Sequence, residues 1–136
     1  MTRPRENRAS ARLLALACTA FLGAACDRAP GRAGEKVSLT WTLAPDPPAV
    51  GPSRLTLQLA DESGRPVGGA RLRVEADMTH PGMRPLVAVA AEDGAGRYQA
   101  DLDFTMAGSW FILVTGDVPH RGAFSRRIDV AHVRGR

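Results

Sequence analysis

The stretch RLTLQLADESG at residues 54–64 decides the fold class of this chain. Leu55, Leu57 and Leu59 alternate with polar neighbours, and a period of two residues is typical of a β-strand with one buried face. Asp61 to Gly64 then supplies the acidic, small and flexible residues of a turn. The sequence therefore predicts a half-buried strand followed by a turn.

The same alternation recurs on both sides of this stretch. One strand is predicted upstream, from Val37 to Leu43, and a proline-rich loop follows it. Further strands are predicted downstream, over residues 70–77, 86–91, 98–104, 109–115 and 124–130. No window of helical length has an apolar period of 3.6 residues. Seven short strands predict an all-β fold, an immunoglobulin-like antiparallel β-sandwich, with an up-and-down barrel as the alternative.

The first 25 residues resemble a bacterial secretory signal peptide of the lipoprotein type. An arginine-rich start is followed by an apolar run from Leu13 to Ala25, which is shorter than the roughly 20 apolar residues that span a bilayer. The run ends at Leu22-Gly23-Ala24-Ala25-Cys26, which is similar to a lipobox. Cys26 is therefore predicted to be the lipidated first residue of the mature chain, and an ordinary cleavage site beside an incidental cysteine is the alternative.

This interpretation divides the chain and places it in the cell. Residues 26–36 are predicted to be a flexible tether, residues 37–132 the β-sandwich domain and residues 133–136 a basic tail. The lipid would hold the protein on the periplasmic side of a membrane in the cell envelope. Cys18 would leave with the signal peptide, so a lipidated Cys26 leaves the mature chain without a free thiol.

Charge and motifs argue against nucleic-acid binding and catalysis. The formal net charge is +4, but four arginines and one glutamate lie in residues 1–25. The remaining chain has 14 basic and 13 acidic residues. Its net charge is therefore close to zero, whereas nucleic-acid-binding domains usually carry a clear excess of positive charge. No phosphate-binding loop, GxSxG or HExxH motif is present. We therefore expect no enzymatic activity and no nucleic-acid partner.

The methionines suggest a metal site. Three follow Met1 in the sequence: Met78 and Met83 flank His80, and Met106 lies beyond a later strand. Met78 and Met106 each continue the alternation of the strand that precedes them, at a position where the side chain is expected to face inward. The four side chains therefore converge if those strands end at the same end of the sandwich. Neutral thioethers favour Cu(I), and imidazole also suits Cu(II). The alternative is that the methionines fill the core and His80 lies in an exposed loop.

The remaining aromatic and histidine residues receive structural interpretations. Trp41 and Trp110 are predicted to be core or sheet-face aromatics. His120 follows a proline in a predicted loop, and His132 lies near the arginine-rich C-terminus. Neither histidine has a neighbouring methionine.

Several motifs together resemble the YtkA-like domain, to which FixH-type proteins of oxidase assembly are related. The similarity extends over roughly residues 37–116. Its main elements are Asp61-x-x-Gly64-x-Pro66-Val67, Met78-x-His80-x-Gly82-Met83 and Gly108-x-Trp110. The resemblance implies a β-sandwich with a suspected copper role.

Two functions remain open at this point. The first is a lipid-anchored copper-binding protein that buffers copper or delivers it to an acceptor protein, in oxidase assembly or copper tolerance. Its predicted ligands are Met78, His80, Met83 and Met106. The second is a metal-free immunoglobulin-like module that docks on a membrane complex.

Overall fold

A computed structural model describes residues 37–80 and 82–135. The predicted signal peptide, the tether and Cys26 lie outside the described residues, as do Pro81 and Arg136. The structure contains seven strands. They are β1 (Val37–Ala44), β2 (Gly51–Asp61), β3 (Arg71–Met78), β4 (Leu86–Glu92), β5 (Arg97–Phe104), β6 (Gly108–Val118) and β7 (Gly122–Val133).

The alternating residues of the central strands face one core, as their spacing predicts. Leu55, Leu57 and Leu59 are fully buried, and Leu72 and Val74 on β3 are buried with them. The buried apolar side chains of the described residues form one cluster that extends from Val37 to Val133. This part of the chain therefore carries its own hydrophobic core.

All strand pairs in the sheet are antiparallel, in the order β1-β2-β5-β4-β3-β6-β7. Because β2 pairs with β5 and β3 pairs with β6, chain neighbours are not always sheet neighbours, which excludes an up-and-down barrel. One layer contains β1, β2 and β5, and the other contains β3, β6 and β7. The predicted immunoglobulin-like sandwich is thus confirmed.

The fourth strand joins the two layers. It pairs with β3 over Leu86–Ala90 and with β5 through its last two residues, Ala91 and Glu92. One edge of the sandwich is therefore closed by continuous pairing, and the sheet becomes nearly barrel-like. The opposite edge lies between β1 and β7.

We call that opposite edge the seam, and the hydrogen bonds that cross it between described residues lie near its ends. At one end the Arg134 amide donates to the Pro48 carbonyl at 2.9 Å, and the Val50 amide donates to the Arg134 carbonyl at 2.9 Å. At the other end Arg126 Nη2 donates to the Val37 carbonyl at 3.5 Å. No strand pairing joins β1 to β7 among the residues that the structure describes.

Two polar contacts fix the connection between β2 and β3. The buried Tyr98 hydroxyl donates to the Val67 carbonyl and accepts from the Ala70 amide, both at 3.0 Å. Burial raises the pKa of Tyr98 above its ordinary value. These bonds attach the connection to β5 across the core.

The turn after β2 is organised by one carboxylate. Asp61 accepts hydrogen bonds from the Ser63 hydroxyl at 2.6 Å and from the Arg65 amide at 3.0 Å. These hydrogen bonds lower the pKa of Asp61 from 3.8 to about 2. Arg121 Nη2 reaches the same carboxylate at 3.6 Å, so Asp61 also connects this turn to the β6–β7 turn.

Over residues 37–80 and 82–135, no helix is long and apolar enough to cross a membrane.

Candidate metal site

The structure brings the segments that carry the four predicted ligands to one end of the sandwich, which we call the methionine end. Met78 is the last residue of β3 and lies opposite Trp110 in the register with β6. The Thr79 amide donates to the Ser109 carbonyl at 3.3 Å, so the start of the following loop stays beside β6. Met106 lies in the short connection between the end of β5 and the start of β6. The end of β3, the end of β5 and the start of β6 therefore lie at the same end of the sandwich.

Met78 belongs to the core in this structure. Its side chain is 4% exposed, in keeping with the inward parity of β3. A Cβ built on Gly108 would lie 3.0 Å from the Met78 methyl carbon Cε, and Gly108 has a φ of 132°. The end of the Met78 side chain therefore packs directly against the backbone of β6.

Met106 does not continue the inward face of β5. That strand ends at Phe104, so the two-residue period stops before it reaches position 106. The Met106 side chain is 43% exposed. Its carbonyl accepts a hydrogen bond from Trp110 Nε1 at 3.0 Å, so a buried indole holds the loop in place. The thioether is thus presented to solvent on an anchored backbone.

His80 and Met83 lie in the loop between β3 and β4. His80 is exposed, and Met83 is half-buried against the core. Gly82 between them has a φ of 113°, a left-handed conformation that strongly favours glycine. The backbone turns here, between the imidazole and the second thioether.

The donor set at this end suits a soft metal better than a hard one. No group of three or more His, Cys, Asp or Glu side chains that could hold a metal ion occurs within the described residues. Zinc and calcium sites are built mainly from such residues. Thioethers are neutral and soft, and together with one imidazole they match the preference of Cu(I). The residues present at the methionine end therefore fit copper.

The other two histidines lie elsewhere. His120 lies in the turn after β6, at the end of the sandwich opposite the methionines, and has a φ of 62°. His132 precedes Val133, which pairs with Gly108, so it is near the methionine end along β7. Its side chain lines a separate groove.

That groove lies at the seam and was not predicted from the sequence. We call it the seam groove, and its volume is about 480 Å³. It is lined by residues of β1, of the loop after β1 and of β7. These residues are Trp41, Thr42, Leu43, Asp46, Pro48, Asp129, Val130, Ala131 and His132. The signal in the sequence was an aromatic residue at an inward position of the first strand, but only the pairing order shows that this strand is an edge.

Comparison with known proteins agrees with this fold. A family model described as YtkA-like matches residues 35–115, a range that includes all four predicted ligands. A search of curated proteins finds no match. A crystal structure of a DUF4426 family protein from Pseudomonas aeruginosa PAO1 is similar with a TM-score of 0.56 and 12% sequence identity. The similarity covers 74% of this chain and 92% of that chain, and at such low identity it shows the fold alone.

Proposed function

Because the chain belongs to the YtkA-like family, we propose that it is a copper-binding protein of the cell envelope whose site is formed by the methionine end. The observation that carries the proposal is the placement of the methionines. All three that follow Met1 belong to segments that meet at one end of the sandwich, beside the loop that contains His80. Copper, with Cu(I) preferred, is the ion that this donor set suits.

The ligands divide into accessible and buried donors. Met106 and His80 are exposed, so they can meet an incoming ion first. Met83 is half-buried against the core, and in this proposal Met78 joins when its thioether rotates away from Gly108. Two accessible donors with two that close over the ion would allow copper to enter and leave, as buffering or delivery requires.

The neutral donors also suit an oxidising compartment. A thioether has no proton to lose, so it coordinates at mildly acidic pH, where a thiol loses ligand capacity through protonation.

In this proposal Cys26 carries a lipid that holds the domain on the periplasmic side of a membrane. The bound ion is passed to an acceptor protein or kept in reserve, as in oxidase assembly or copper tolerance. The role is non-enzymatic, because copper is the cargo and no bond in a substrate is made or broken.

The test is a Cu(I) titration of residues 27–136 under reducing conditions, against a chromophoric chelator that competes for the ion. The test variant combines Met78→Leu, His80→Ala and Met83→Leu, because leucine preserves the volume of a buried methionine. The matched control combines Val87→Ala and Val89→Ala, which remove exposed side chains from β4. Circular dichroism verifies that all three proteins are folded.

We expect the wild type and the control to bind one equivalent of copper. The test variant should bind at least about tenfold more weakly, which corresponds to about 1.4 kcal/mol. Equal affinity in all three proteins would contradict the proposed site.

A further inference from the structure

The first strand is an edge strand without the usual protection against pairing. Its sequence from Val37 to Ala44 contains no charged residue and no proline. It pairs with β2 on one side, and along its other side the structure shows no strand. Natural edge strands usually carry charges, prolines or bulges that block further pairing. β7, the other edge of the seam, carries Arg126, Arg127 and Asp129.

Trp41 marks the place where the core is open along this edge. It occupies an inward position of β1, between Val37, which is 2% exposed, and Leu43, which is 8% exposed, yet Trp41 itself is 42% exposed. Because Val37 and Leu43 are buried on either side of Trp41, the strand as a whole stays packed against the core. The seam groove leaves the inner face uncovered at this one position, and the indole forms part of its wall.

The groove rim carries charged side chains of both signs. Its ionisable lining residues are Asp46, Asp129 and His132. Both carboxylates are exposed, and Asp129 accepts a hydrogen bond from Arg127 Nε at 2.8 Å. Arg134 Nη2 lies at the closed end, where it donates to the Pro47 carbonyl at 3.5 Å. Because Asp129 is ion-paired with Arg127, Asp46 is the rim carboxylate that forms no ion pair among the described residues.

We propose that the seam groove binds an extended, basic peptide segment of a partner protein, which adds as a strand along the free edge of β1. Strand addition uses main-chain hydrogen bonds for affinity and side-chain pockets for specificity. An apolar side chain of the segment would cover Trp41, and a flanking lysine or arginine side chain would meet Asp46.

The geometry favours a single chain over a second copy of this domain. The bonds that join Pro48 and Val50 to Arg134 close one end of the groove, and β7 forms its opposite wall. An incoming β1 of a second copy would bring its own β2 with it, because these two strands are paired along their whole length. A lone extended segment has no such neighbour to accommodate.

The inference does not depend on copper. The groove does, however, lie near the methionine end, because Val133, which follows the groove residue His132, pairs with Gly108. A segment bound there would lie near the proposed metal loops, which is the arrangement expected for a partner that receives the ion.

The test uses residues 27–136 without copper and a capped synthetic octapeptide that alternates valine with lysine. One control peptide has glutamate in place of lysine, and another is N-methylated at alternate positions so that it cannot form the main-chain bonds. The protein variants are Trp41→Ala and, as a matched control, Val89→Ala, which shortens a side chain that is 78% exposed on β4. Amide hydrogen exchange and amide chemical shifts report where the peptide lies.

We expect the lysine peptide to bind with a Kd of about 1 mM or tighter and to slow exchange in Val37–Ala44. Both control peptides and the Trp41→Ala variant should weaken binding by about tenfold or more, and Val89→Ala should leave it unchanged. Three results would each overturn the proposal. The first is that the lysine peptide does not bind at several times this concentration. The second is that the N-methylated peptide binds as tightly as the lysine peptide. The third is that self-association protects the amides of β1 when no peptide is present.

Discussion

Replacing Leu57 with alanine should destabilise the domain by about 3.5–4.5 kcal/mol. Leu57 is fully buried at the centre of β2, directly between Trp41 on β1 and Tyr98 on β5. The substitution removes the equivalent of three methylene groups, and each contributes about 0.8 kcal/mol of transfer free energy. The remaining cavity adds about 1–2 kcal/mol, because paired strands on both sides prevent the site from collapsing fully.

Urea unfolding followed by circular dichroism measures this loss. Thermal unfolding should show a fall in Tm of about 15 °C or more, because 1 kcal/mol corresponds to roughly 4–8 °C in a domain of this size. Val89→Ala is the control, and as an exposed position it should change stability by no more than about 0.5 kcal/mol. If the two variants are equally stable, the inward assignment of the β2 leucines is wrong.

Three further predictions concern the β2–β3 connection and the membrane anchor. The Asp61 carboxylate has a pKa lowered to about 2, so its stabilising contribution is present above about pH 4 and is lost as the pH falls toward 2. The stability advantage of wild type over Asp61→Asn should therefore shrink in that window, and a constant difference in urea midpoint would contradict this. Tyr98→Phe leaves the Val67 carbonyl and the Ala70 amide without their partner, so urea unfolding should show a loss of about 1–3 kcal/mol; an unchanged midpoint would show that water replaces the hydroxyl. Cys26→Ser should release the full-length protein from the membrane fraction on immunoblots, and unchanged fractionation would rule out a lipid anchor at this cysteine.

The strands were predictable because their signals are local. The alternation at Leu55, Leu57 and Leu59 requires only that one face of the strand be buried. All three side chains are buried in the structure. The register of β2 against β5 and the use of β4 in both layers depend on partners far away in the sequence. Such pairings leave no local pattern, so the order of strands could not be predicted.

The limits of periodicity appear at two residues. Met106 was expected to face inward, but β5 ends at Phe104, and a two-residue period has no meaning beyond the end of its strand. Trp41 has the inward parity of a core residue and is nevertheless 42% exposed, because β1 is an edge strand with an open seam beside it. Parity predicts the direction of a side chain, whereas its burial depends on what lies opposite.

The sequence identifies the side chains proposed as ligands, and the structure places the segments that carry them. The spacing of Met78, His80 and Met83 puts them close together in the sequence, and Met78 is the last residue of β3. The proximity of Met106 depends on β5 and β3 ending on the same side of the fold, which antiparallel pairing through β4 and β6 produces. The packing of Met78 beneath Gly108 is a property of the folded core and leaves no trace in the sequence.

The measurement that tests the copper proposal most directly is nuclear magnetic resonance of the methionine ε-methyl groups in residues 27–136. This part of the chain contains three methionines, so it gives three signals, which single Met→Leu variants assign. Addition of Cu(I) should shift the signals of Met78, Met83 and Met106 together and saturate at one equivalent. If only the exposed Met106 responds, or if none of the three signals saturates at one equivalent, the methionine end is not the copper site.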